Sequence, residues 1–141
     1  MQDTEQVITI YTDGASRGNP GNSAWAYLIL GTGGQDLSKQ AGYIGKATNN
    51  QVEYFAVIRA LQKAIEITDR RIKHFSDSQL IVNQLNGNWK VKNRELSRLF
   101  RRVRKLEKHF TSVSHTHVPR SHKFLSQVDR LCNNRLDEIE K

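Results

Sequence analysis

The sequence is short of almost everything that anchors a fold by means other than packing. One cysteine, Cys132, in 141 residues excludes an internal disulfide and a cysteine-based zinc site. It falls among Val128, Leu131, Leu136 and Ile139, so it reads as a buried structural thiol rather than a nucleophile. No apolar run approaches the roughly 18 residues needed to span a bilayer. The polar, acidic opening MQDTEQ is unlike a signal peptide. Internal repeats, low-complexity tracts and linkers are missing too. The expectation is one soluble, cytoplasmic domain over residues 1–141, long enough to bury a core without staples, with nothing that demands more than a monomer.

Acid is the other shortage. Fourteen Asp and Glu stand against 22 Lys and Arg, a net charge of +8 and a sequence pI of about 9.9. That balance favours a polyanionic partner, or serves solubility alone. It is also uneven. Between Trp89 and Lys108 lie Lys90, Lys92, Arg94, Arg98, Arg101, Arg102, Arg104, Lys105 and Lys108, against only Glu95 and Glu107. Most of these cations lie opposite an apolar face of Leu96, Leu99, Val103 and Leu106. They form either a solvated helix face or a track for a nucleic-acid backbone, whose binding would then be strongly salt-dependent.

The pattern along the chain begins with period two and then changes. VITIYT, Val7 to Thr12, reads as a strand stopped by Asp13-Gly14, and GASRGNPGN after it is dense in turn residues. Ala24 to Leu30 and the weaker Leu37 to Ile44 complete a three-stranded antiparallel meander. Thr48 and Gln51 fit a capping box, and Tyr54, Val57, Ile58, Leu61, Ala64 and Ile65 follow at helical spacing. A fourth strand is expected over Ile72 to Ser76 and a short helix over Ser78 to Leu85, closed by Asn86-Gly87. A helix over Asn93 to Phe110, a fifth strand over Ser112 to Val118 and a last helix from about Phe124 follow. The order βββ-α-β-α-α-β-α implies an α/β architecture, a mixed sheet flanked by helices.

Four of the scarce acids sit at the edges of these elements, in the settings TDG (Asp13), TNNQVE (Glu53), SDSQ (Asp77) and VDRLCN (Asp129). Singly each has a plain reading. Asp13 starts a turn, Glu53 sits in a helix first turn, Asp77 caps the short helix, and Asp129 is a solvated helix carboxylate. Brought together by a fold, they make an oxygen-rich cage suited to a hard divalent cation such as magnesium. In a basic chain that suggests phosphodiester chemistry.

In this order the four settings, with the GNPG loop after the first, resemble the type 1 ribonuclease H (ribonuclease HI) family over essentially the whole chain. The resemblance implies a ribonuclease H-like fold with a five-stranded mixed sheet, in compact form without the additional basic protrusion that related bacterial enzymes carry. It implies an endonuclease that hydrolyses the RNA strand of RNA/DNA hybrids, leaving 5′-phosphate and 3′-hydroxyl ends. Asp13, Glu53, Asp77 and Asp129 would hold two Mg2+ ions together with substrate, Mn2+ being a substitute. Such a pair of ions, roughly 3.5–4 Å apart, clamps the attacking and leaving oxygens of an in-line displacement. Asn19, Asn50 and Gln79 would read the RNA strand through its 2′-hydroxyls, Thr48 and Asn93 a DNA phosphate, and Trp89 a DNA-strand sugar. Asn19, Asn50, Thr48 and Trp89 also have a structural reading, as turn residue, helix start, cap and core aromatic respectively.

The loop before Asp129 departs from the family pattern. Many members carry a mobile histidine there; here the segment is the compressed HVPRSHKFLSQVD, with Leu125 in place of the usual Asn. His122 and the cationic Arg120 are equal candidates for its work, beside the option that neither does it. Two other functions stay in view. One is a non-catalytic hybrid- or duplex-binding module on the same fold, and the other a related nuclease with a different nucleic-acid substrate.

Overall fold

The computed structural model describes residues 6–140. Three strands come first, β1 (Val7–Gly18), β2 (Gly21–Leu30) and β3 (Asp36–Ala47). Helix α1 (Asn49–Ile65), β4 (Arg71–Ser76), α2 (Gln79–Leu85), α3 (Arg94–Glu107), β5 (Ser112–His117) and α4 (Lys123–Ile139) follow. The element order is the expected one, and the strands form one sheet in the order β3-β2-β1-β4-β5. β1 is antiparallel to β2, and β2 to β3, whereas β1–β4 and β4–β5 are parallel.

One boundary differs from the sequence expectation in a way that matters. The stretch Gly14 to Gly18, read as loop, continues β1 in register with β2 as far as Gly18 opposite Gly21. The turn residues are confined to Asn19-Pro20, because Ala15, Ser16 and Arg17 each find a ladder partner. Pairing with β4, by contrast, stops at Tyr11 opposite Phe75. The sheet therefore forks beyond Tyr11, and the end of β1 is bound on one side only.

Alternate residues of the central strands point to opposite faces. Ile8, Ile10 and Ile29 meet Val52, Tyr54, Val57, Ile58 and Leu61 of α1, with α3 adding Leu96 and Val103. Tyr11, Ala26 and Leu28 meet Leu125, Val128 and Cys132 of α4 on the other face. Ile8, Ile10 and Ile58 are 0% exposed, each contributing on the order of 1.5–3 kcal/mol by burial. The Cys132 thiol is buried as expected, and burial, followed by the neighbouring acids, pushes its titration far up. α1 begins with the full capping box: Gln51 N–H donates to Thr48 Oγ1 at 3.2 Å, and Thr48 N–H to Gln51 Oε1 at 2.9 Å.

Candidate active site

Asp13 leaves β1 at the fork, Glu53 comes from the first turns of α1, and Asp77 follows the end of β4. Asp129 lies in the first half of α4. What brings the first two together is a missing side chain. A Cβ on Gly14 would stand 2.8 Å from the Val52 backbone, closer than real packing allows, so the glycine lets α1 lie directly on β1. Asp77 does not cap α2, correcting its plain reading: Ser78 does, accepting from Ile81 N–H at 3.2 Å. The Asp77 carboxylate is thereby left free to face inward.

Asp13, Glu53 and Asp77 each offer an oxygen within 4.8 Å of the others. Asp129 is not one of that trio, but its carboxylate acts on Asp13. All three of the trio are harder to ionise than usual. Burial, then the charges of Asp77 and Asp129, push Asp13 up to about 8. Burial, then Asp13 and Asp77, raise Glu53 well above the ordinary range, and burial raises Asp77. Glu53 Oε1 is shut off from solvent with no hydrogen-bond partner. A buried carboxylate oxygen without a donor, among other carboxylates, carries an electrostatic cost that a divalent cation relieves. The donor set, all oxygen, fits a hard ion.

Asp13, Glu53 and Asp77 line an open cavity of about 570 Å³, shared with Ser16, Arg17, Asn49, Ser78, Arg120 and Asn133. Arg120 Nη2 lies 3.4 Å from Asp129 Oδ1, and that carboxylate, then Asp13 and Asp77, strengthens its hold on the proton. Asn133, one helical turn beyond Asp129, donates to the Asp129 carbonyl at 3.0 Å and to Oδ1 at 3.4 Å. Sequence reasoning passed over Asn133, although its i, i+4 spacing from Asp129 was the available signal. It passed over Arg17 too, whose guanidinium reaches Asp137 at 2.8 Å and Glu140 at 2.6 Å.

Comparison with known proteins places this arrangement. Residues 11–132 match the family described as reverse transcriptase-like. The chain is 41% identical over 131 residues to ribonuclease HI of Halobacterium salinarum, covering 93% of this chain. It is 35% identical to a ribonuclease H of Chlorobaculum parvum, covering 97% of this chain and 94% of that protein. The chain belongs to the type 1 ribonuclease H family. Its backbone superposes on the halobacterial RNase H1 crystal structure with a TM-score of 0.89 at 40% identity, over 94% of this chain and 98% of that one. LC11-RNase H1 in complex with an RNA/DNA hybrid gives 0.88 at 32% identity, over 95% and 99%. The chain spans 65% of the length of the halobacterial protein and 35% of its mycobacterial matches.

The remaining residues expected from the ribonuclease H resemblance fall in several places. Asn19 Oδ1 accepts from Asn49 N–H at 3.0 Å, tying the β1–β2 turn to the start of α1. Asn50 and Gln79 are exposed in the first turns of α1 and α2. Thr48 and Asn93 are helix caps, Asn93 accepting from Leu96 N–H at 2.9 Å. Trp89, 47% exposed, projects from the loop after α2 rather than closing the core. His122 is engaged elsewhere: its Nδ1 accepts from Phe124 N–H at 3.2 Å, and its ring stacks on Tyr11 at 5.3 Å. On α3 the apolar edge packs inward, and Arg101, Arg102, Lys105 and Lys108 are exposed.

Proposed function

We propose that this protein hydrolyses the RNA strand of RNA/DNA hybrids, with Asp13, Glu53, Asp77 and Asp129 as its metal-holding carboxylates. The observation that carries the reading is the convergence of the first three around the partnerless Glu53 Oε1. The family's named ribonucleases H, and the hybrid bound by LC11-RNase H1, supply the substrate class. Magnesium is the ion of choice, manganese a substitute. Bound with substrate, it supplies charge neutralisation at phosphorus and a more acidic water.

The chain's own groups then divide the work. Asp13, whose carboxylate feels the charges of both Asp77 and Asp129, would be the central ligand of the metal-holding set. Asn133 orients Asp129 through its amide. Arg120 brings a permanent cation to the rim of the cavity, and its guanidinium is placed to meet a phosphate or a leaving oxygen. Of the two candidates for the mobile histidine's work, Arg120 is favoured, since it lines the cavity while His122 serves α4. Asn19, Asn50 and Gln79 carry amides suited to 2′-hydroxyls that both donate and accept. Thr48, Asn93 and Trp89 remain the contacts to the DNA strand.

The same reading takes residues 1–141 as one ribonuclease H domain acting as a cytoplasmic monomer. No helix among the described residues is long and apolar enough to cross a membrane. The test is cleavage of an end-labelled hybrid with magnesium and then manganese, beside single-stranded RNA, RNA duplex and DNA duplex, for wild type and Asp77→Asn. Hybrid-only cutting abolished by the substitution supports the reading. Tight hybrid binding without cutting in either metal refutes it in favour of a binding module.

A further inference from the structure

Behind the acids, three polar side chains that the chemistry above leaves unused are joined end to end inside the fold. Thr12 on β1, His74 on β4 and His115 on β5 are 0%, 1% and 7% exposed. Thr12 Oγ1 lies 2.7 Å from His74 Nε2, and His74 Nδ1 lies 2.8 Å from His115 Nδ1. His115 Nε2 lies 2.6 Å from Glu107 Oε2 at the end of α3, and Arg104 Nη1 holds the other Glu107 oxygen at 2.8 Å. The chain thus crosses all three parallel strands and ends on a half-buried ion pair.

Each of its three hydrogen bonds needs one proton. With Glu107 ionised and both imidazoles neutral, three protons are available: the Thr12 hydroxyl and one N–H on each ring. They fit in one direction. Thr12 Oγ1–H donates to His74 Nε2, His74 Nδ1–H to His115 Nδ1, and His115 Nε2–H to Glu107. The opposite direction would set a ring lone pair against the carboxylate. One proton added to the chain changes this order. His115 then donates from both nitrogens, His74 carries its proton on Nε2 instead of Nδ1, and Thr12 becomes the acceptor while its own hydroxyl proton turns away.

The geometry points to Thr12, His74, His115 and Glu107 as a positioning chain. It ties together the catalytic ends of β1, β4 and β5, and its proton direction, set by Glu107, fixes the Thr12 hydroxyl beside Asp13. Other groups around it support this assignment. Burial, then the neighbouring His115, disfavours a charge on His74, and His115 is the ring in contact with the Glu107 carboxylate. Burial opposes the charge of Glu107, but hydrogen bonds from His115 and Arg104 outweigh it and hold the carboxyl low. Arg104 also binds the Leu85 carbonyl, and Tyr54 on α1 feels its charge. From the α2 side, Asn86 donates to the His115 carbonyl at 3.0 Å. His117, farther along β5, acts electrostatically on Asp77 instead.

The functional consequence rests on the nuclease reading; the tautomers do not. Long-range proton–nitrogen NMR on the 15N-labelled protein reads each imidazole directly. The expected result near neutral pH is His74 as the Nδ1–H form and His115 as the Nε2–H form, with His74 switching to Nε2–H in step with protonation of His115. In Glu107→Gln the amide can donate as well as accept, so His74 should populate both forms. The kcat for hybrid should then fall several-fold with KM unchanged, and Glu107→Asp should restore part of it. An Nε2–H His74 throughout, rings that titrate independently, or Glu107→Gln with unaltered tautomers or unaltered kcat overturns the proposal. A wild-type protein that cuts no hybrid yet shows the coupled tautomers would sink the nuclease reading and the catalytic consequence, and leave the hydrogen-bonded chain standing.

Discussion

Replacing Asp13 by Asn should destroy cleavage and, without metal, make the protein more stable. In the fold Asp13 is pushed from 3.8 to about 8 by burial and by Asp77 and Asp129. Its folded value lies above its unfolded one, so the native state holds a proton that the unfolded chain has released. Stability is therefore lost as pH rises through the interval between the two values. At about pH 7 the linkage amounts to about 4 kcal/mol. That is an upper bound, because water entering an open cavity relaxes part of it. The amide carries no charge and escapes this cost. In chelator at about pH 8, Asp13→Asn should unfold roughly 3–10 °C above wild type, corresponding to ~1–3 kcal/mol for a domain of this size. The gap should close below about pH 3, where Asp13 is protonated folded and unfolded alike, and close again in magnesium, which binds only the folded wild type. The assay is thermal unfolding followed by circular dichroism across pH, with and without the ion. Equal or lower stability of the variant at the alkaline end in chelator, or a gap that ignores pH, would refute the electrostatic argument.

Other perturbations separate the remaining roles. Arg120→Ala should lower kcat for hybrid roughly 10–100-fold with little change in melting temperature, in the range expected for one positioned catalytic cation. His122→Ala should instead cost about 0.5–1 kcal/mol of stability through the lost α4 cap and leave kcat near wild type; the opposite pattern would reassign the two. Gly14→Ala should destabilise by about 1–3 kcal/mol, since its methyl meets the Val52 backbone, and should weaken metal binding by calorimetry as α1 is pushed from β1. Neutralising Arg101, Arg102 and Lys105 to Gln should reduce the slope of log affinity against log salt for hybrid, by about 0.9 for each phosphate no longer neutralised. An unchanged slope would mark that helix face as merely solvated.

The element order was legible because each transition carries its own local signal: apolar, β-branched runs bounded by turn residues in the first strands, the Thr48–Gln51 box, the 3.6-residue period of α1. The continuation of β1 was not. Gly14 to Gly18 is turn-rich in composition, and only its register against β2, a long-range fact, makes it a strand. The four acids were legible through their neighbours, yet the reason Asp77 is free was hidden in the next residue, since Asp and Ser compete equally well for a cap by propensity. Hardest to read was the Thr12–His74–His115–Glu107 chain. Its members lie far apart in sequence, and a histidine inside a strand pattern announces nothing about its partner. Asn133 fell between these cases: it closes the VDRLCN setting of Asp129, but only the folded helix shows its amide on that carboxylate.

The four carboxylates come from segments dispersed between residue 13 and residue 129, and that dispersal has a consequence for the order of biosynthesis. As the chain leaves the ribosome, Asp13, Glu53 and Asp77 are all synthesised before α4 emerges. The last acid reaches its place only when Leu125, Val128 and Cys132 pack onto the β1–β2 hairpin. A nascent chain, or one whose final helix has come loose, thus lacks one carboxylate. Completion of the acidic centre and completion of the second core are a single event, so on the proposed reading the site becomes whole only at the end of folding.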